Sequence, residues 1–271
     1  MSSIATRYRT GFTLVELLVV APIAILVVGF LVNIMINLVG DVLMTQQRNV
    51  ATYESQDGLN QIEQDVRLSV KIMQTTGTFT APSYQGSAIA SSASTNTGAF
   101  TASTSFDGSD TREALILRAY ATTANPLSTN RTLVYTNQPG GSCPATYTSN
   151  DPLTYLIIYY MYSGSLWRRS VIPSATLCGG AVVWQKNSCA AAAATHCQTN
   201  DRLVANSVSS VNVTYYAATT DSSGHTTVST TPMTQPTEDP VSVKVVINTS
   251  KTVAGGSITS TMSTYASRLN N

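Results

Sequence analysis

"TGFTLVELLVVAPIAILVVGFL", Thr10 to Leu31, is the stretch on which the reading of this chain turns. Between Phe12 and Val32 its single charge is Glu16. A run of about 20 apolar residues is long enough to cross a bilayer as a helix. An ionised carboxylate in hydrocarbon costs at least a few kcal/mol, and no cation in the run offsets it. The polar residues before it, Met1 to Thr10, carry Arg7 and Arg9. That basic flank is expected on the cytoplasmic side, which sends the bulk of the chain outside. An ordinary cleaved secretory signal fits less well. The run is long for one, and no small-x-small cleavage site follows it.

Composition agrees with an exported chain. The 271 residues carry 11% charged side chains and a formal net charge of +1. Phosphate binding calls for a basic surface, so nucleic acid is not expected as the main partner. Beyond residue 75 the sequence is rich in Thr, Ser, Asn and Ala, which suits a β-rich extracellular domain.

The residues "GFTLVE", Gly11 to Glu16, resemble the processing signal of type IV pilins and pseudopilins. The resemblance implies that a prepilin peptidase/methyltransferase cuts between Gly11 and Phe12 and methylates the new Phe12 amine. It also implies a role for the carboxylate. Glu16 of an incoming subunit pairs with the Phe12 amine of a neighbour already in the filament. Losing one member of such a pair costs roughly 3–5 kcal/mol. Glu16 is not expected to find a partner within its own helix. The plainer alternative is a signal anchor with an interfacial Glu16. Removal of residues 1–11 would discard Arg7 and Arg9, leaving 13 basic against 14 acidic residues.

The expected architecture is α+β: a long N-terminal helix packed on an antiparallel β-sheet domain. The leader is 1–11, the helix 12–75, membrane-spanning over about 12–40, and the globular domain 76–271. Pro22 removes one helical hydrogen bond, to Leu18, and predicts a mild kink. Two apolar stripes follow a helical period. Val39, Val42, Val50 and Tyr53 share one face. Leu59, Ile62, Val66, Val70 and Met73 share another, turned by roughly 160° at 100° per residue. One helix with two partners, or two helices broken at Gly58, accounts for the switch. In the first case the upper half packs on the chain's own sheet and the lower half on other subunits.

Residues 75–111 read as a long loop with room for a short strand. Strands are expected at 113–120, 131–136, 154–172 as a hairpin turning at Ser163-Gly164-Ser165, 181–185, 207–217, 241–250 and 257–266. Together they suggest an antiparallel meander with one face on the helix. Their order, with "GSDTREALILRAY", "YMYSGSLWRRS" and "SVSSVNVTYYA", is similar to J-type pseudopilins and related minor pilins. The implied partners are other pilin subunits and an inner-membrane assembly platform. The length favours a minor subunit, and 173–202 has no counterpart in that pattern.

Cys143, Cys178, Cys189 and Cys197 allow three pairings. The hairpin brings 178 back towards 151, which favours Cys143–Cys178 and Cys189–Cys197; a metal site using His196 is the alternative, though its spacing matches no standard zinc pattern. "DGSD", with Asp107 and Asp110, reads as a solvated turn rather than a calcium loop. Trp167, Arg168 and Arg169 read as sheet decoration. The sequons at Asn130, Asn212 and Asn248 decide nothing. No G-x-S-x-G, H-E-x-x-H or P-loop appears, and His196 and His225 stand in polar loops, so neither enzyme activity nor a cofactor is expected. The function this implies is a minor pilin or pseudopilin, near the tip of a pilus or a type II secretion pseudopilus. A filament-borne adhesin or DNA-uptake module is the second reading, and a surface enzyme on a pilin-like anchor the third.

Overall fold

The computed structural model describes residues 13–73, 78–80, 99–110, 112–136, 152–173, 177–178, 181–189, 197–220, 222–223, 226–233, 239–253 and 256–269. Helix α1 runs unbroken from Leu14 to Leu68, through both Pro22 and Gly58. The two-helix alternative is therefore wrong. Gly58 is instead a close-approach position, because a Cβ there would lie 2.9 Å from Val204 Cγ1.

The helix stops short of residue 75. Ser69 is extended, its backbone N–H and its hydroxyl both satisfy the Val66 carbonyl, and Ser69–Ile72 forms strand β1. Val70 and Met73 are thus not on the helical stripe. Their spacing fits a helix, but the edge of a neighbouring strand supplies ladder partners that the sequence does not show.

The remaining strands are β2 Thr78–Thr80, β3 Ala99–Ala102, β4 Ser105–Phe106, β5 Glu113–Tyr120, β6 Thr154–Tyr162, β7 Ser165–Val171, β8 Ser188–Cys189 and β9 Thr199–Asn200. They continue with β10 Arg202–Ala205, β11 Val208–Tyr216, β12 Ala218–Thr220, β13 Thr226–Val228, β14 Ser242–Val253 and β15 Gly256–Ser267. The larger sheet has the order β10-β7-β6-β5-β3-β2, with β1 also on β5. The second sheet is β15-β14-β11-β4. The expected single meander is corrected in two respects: there are two main sheets, and β3–β5 and β8–β9 pair in parallel.

The β6–β7 hairpin closes through Ser163 and Gly164, whose φ values of 51° and 70° suit a two-residue turn matched to strand twist. Two expected strands are absent. Residues 131–136 contribute only isolated bridges, and 181–185 is a loop. Conversely the 75–111 stretch holds β2, β3 and β4, with Phe100 and Phe106 fully buried.

One core joins the helix to both sheets. Leu59, Ile62 and Val66 meet Leu117, Ile157 and Tyr159 of the larger sheet and Val211, Val243 and Val245 of the smaller. The other face of the larger sheet buries Phe100, Ile116, Ile158 and Tyr160. A sheet covered on both faces explains the run "TYLIIYYMY", which does not alternate.

Candidate functional site

The N-terminal end of α1 is built around Thr13 and Glu16. Thr13 is the N-cap residue, and its hydroxyl accepts the Glu16 backbone N–H at 3.3 Å. Glu16 Oε2 in return accepts the Thr13 backbone N–H at 3.3 Å and its hydroxyl at 3.2 Å. This reciprocal arrangement satisfies donors that a helix start leaves unpaired. The positive end of the helix dipole also favours a carboxylate here. Glu16 therefore has a partner in its own helix, contrary to the sequence expectation, and Thr13 was the residue overlooked. Its T-x-x-E spacing is a legible capping signal that the cleavage-signal reading left unused. Both bonds use Oε2, and among the described residues Oε1 accepts none. Gly11 and Phe12 lie outside the described residues.

Above the cap, every residue from Thr13 to Val39 is exposed. This one helix is long and apolar enough to cross a membrane. Leu14 to Val39 rises about 40 Å, more than a hydrocarbon core of about 30 Å. Asn33 and Asn37, one turn apart, are linked by a side-chain bond of 3.4 Å. The globular domain first reaches the helix at Met44 and Gln47. There the β14–β15 hairpin brings Gly256 against Met44, and Lys251 Nζ donates to Gln47 Oε1 at 2.8 Å.

Two ion pairs, one part-buried and one buried, fix the helix and the cysteine-bearing segment to the sheet. Arg168 donates to Asp65 through Nε at 2.6 Å and Nη2 at 3.2 Å, and the Tyr159 hydroxyl donates to the same carboxylate. On the opposite face, Arg169 Nη2 donates to Asp201 Oδ2 at 2.6 Å. The Tyr160 hydroxyl also donates to Asp201 Oδ2 at 2.6 Å, and Ser188 Oγ to its Oδ1 at 2.8 Å. The Arg169 guanidinium lies 5.7 Å from the Phe100 ring centre and 5.4 Å from that of Tyr160. These arginines are structural anchors, which corrects their reading as sheet decoration.

Burial, then the Asp65 carboxylate, push the Tyr155 hydroxyl up to about 12 and that of Tyr159 well above its ordinary value. Burial and Asp201 raise Tyr160 in the same way. Burial opposes the charge on Arg168, but the attraction and hydrogen bonds of Asp65 outweigh it and raise its pKa.

Cys189 and Cys197 are bonded, with Cα atoms 5.8 Å apart, as expected. Cys178 is also disulfide-bonded; its expected partner Cys143 lies outside the described residues, as do His196 and His225. In the "DGSD" turn, Asp107 accepts from the Ser109 N–H at 2.8 Å and Asp110 pairs with Arg112. No group of side chains suited to a metal ion occurs among the described residues. No family model matches the chain, and no curated protein matches it in sequence.

Proposed function

We propose that the chain is a membrane-inserted, processed subunit of an extracellular filament, of the minor pilin or pseudopilin kind. The observation that carries this reading is the Glu16 cap, which sits at the foot of an apolar helix segment exposed from Thr13 to Val39. Cleavage after Gly11 would create an ammonium group on Phe12, the residue directly before the Thr13 cap. Glu16 then has Oε2 engaged by Thr13 and Oε1 available to the Phe12 amine of a neighbouring subunit. Local capping lowers the cost of carrying the carboxylate before assembly, and the neighbour's amine neutralises it afterwards. The exposed helix face from Leu14 to Val39 is covered first by lipid and then by the helices of other subunits. The assembly platform would move the subunit from one setting to the other. The length of the chain favours a minor subunit.

The test is Glu16→Ala in the native host, comparing the mutant-to-wild-type ratio in sheared filaments with that in membranes. Insertion and cleavage are expected to survive, since the change makes the span more apolar and alanine favours helix. Incorporation into filaments is expected to fall, because an unpaired buried amine costs roughly 3–5 kcal/mol. Equal ratios in both fractions would reject the docking role. A fall already present in the membrane fraction itself would assign Glu16 to insertion or stability instead.

A further inference from the structure

A cleft of about 590 Å³ opens between α1, the larger sheet and the loops that flank the Cys189–Cys197 bridge. Its floor includes Arg168, Tyr155 and Ser170, and its helix wall Gln61 and Gln64. The opposite wall is built by one device used twice. Gln185 is buried and bonded to Thr122, accepting its N–H at 3.0 Å and donating to its hydroxyl at 2.8 Å. This pins a loop whose flanking residues, Trp184 and Lys186, are exposed and line the cleft. Asp201 is buried and held by Arg169, Tyr160 and Ser188. Its flanking residues, Asn200 and Arg202, are likewise exposed and line the cleft. The disulfide ties these two loops together. The fold therefore presents an indole, two cations and side-chain amides on backbone that is held from behind.

The charges do not cancel. Asp65 is taken up by Arg168, whereas Lys186 and Arg202 make no ion pair among the described residues. We infer that the cleft is a binding site for an acidic saccharide, a carboxylated pyranose ring or short chain of them. The half-exposed Trp184 face fits the C–H face of a pyranose, as an aromatic surface with apolar character does. Lys186 and Arg202 pair with the carboxylate. Asn125, Asn200 and Gln61 offer the donors and acceptors that ring hydroxyls require. A nucleic acid strand fits less well, because backbone binding calls for a longer track of cations.

The inference is independent of filament assembly, since binding is measured on the isolated full-length chain in detergent micelles. Calorimetric titration compares trigalacturonate, neutral maltotriose and a short oligothymidylate. Trigalacturonate is expected to bind in the submillimolar range, and maltotriose about tenfold or more weaker. The Lys186→Ala/Arg202→Ala double variant is expected to lose about tenfold for trigalacturonate while its circular dichroism is unchanged. Trp184→Ala is expected to weaken both sugars. No trigalacturonate binding at millimolar concentration would overturn the inference, as would equal affinity for maltotriose. Tighter binding of oligothymidylate, or folded variants that bind like wild type, would overturn it as well.

Discussion

The two halves of α1 are one helix in two settings. Leu14–Val39 is apolar on every side and exposed throughout among the described residues, while Ala51–Val66 is amphipathic and buries one face against two sheets. An isolated helix that is hydrophobic all round belongs inside a membrane or a bundle. One with a single apolar stripe belongs on a domain. The upper half is packed by the chain's own sheets, whereas the lower half is left exposed among the described residues. Although the stripes turn at Gly58, the switch of face accompanies no break in the helix.

The sharpest way to break the comparison is to release the upper half. Asp65→Ala leaves the part-buried Arg168 charged without its counter-ion, and removes the acceptor of Tyr159. The expected loss is about 3–5 kcal/mol, read by urea denaturation of the detergent-solubilised chain. A loss under about 1 kcal/mol would show that the pair does not clamp the helix.

Truncation on the two halves should then diverge. Ile62 is fully buried, so Ile62→Ala is expected to cost about 2–5 kcal/mol. Val42 is 58% exposed, and Val42→Ala should leave unfolding within about 0.5 kcal/mol of wild type. Equal costs in detergent would mean that the lower half packs on its own domain after all.

Titration tests the same clamp from the side of its tyrosines. Tyr155 and Tyr159 surround Asp65 and keep their protons past the pH of about 10 at which an unfolded tyrosine loses its own. Their folded-state pKa is raised, so the proton-linked stabilisation is full below about pH 10 and falls as pH rises towards about 12. The slope is about 1.4 kcal/mol per pH unit for each such tyrosine. The melting temperature should drop over that window, and less so in Tyr155→Phe. A flat profile would contradict the buried, proton-bearing setting of these hydroxyls.

What the sequence made legible was what local pattern controls. "EALILRAY" is β5 residue for residue, and the Ser163-Gly164 turn and strands over most of 207–217 and 241–250 stand as read. The stretch "AVVWQ" had the composition of a strand but became a loop. Gln185 turns inward to bond Thr122, which leaves Val182 and Trp184 exposed. Strand β4 was hidden in a Ser/Thr-rich tract because its pairing is distant; it meets β11 near Val211. The anchors were illegible for the same reason. Asp65 and Arg168 are 103 residues apart, and nothing near Asp65 in sequence announces its partner. The Thr13–Glu16 cap was legible and was overlooked, because the cleavage signal occupied the same residues.

The most direct test of the lower half's role is intact-chain and N-terminal peptide mass spectrometry on protein from membranes and from sheared filaments of the native host. The expected chain begins at Phe12 with a methylated amine, and residues 1–11 are missing. A chain in both fractions that still begins at Met1 would contradict processing at Gly11, and with it the assignment of the exposed helix to a filament.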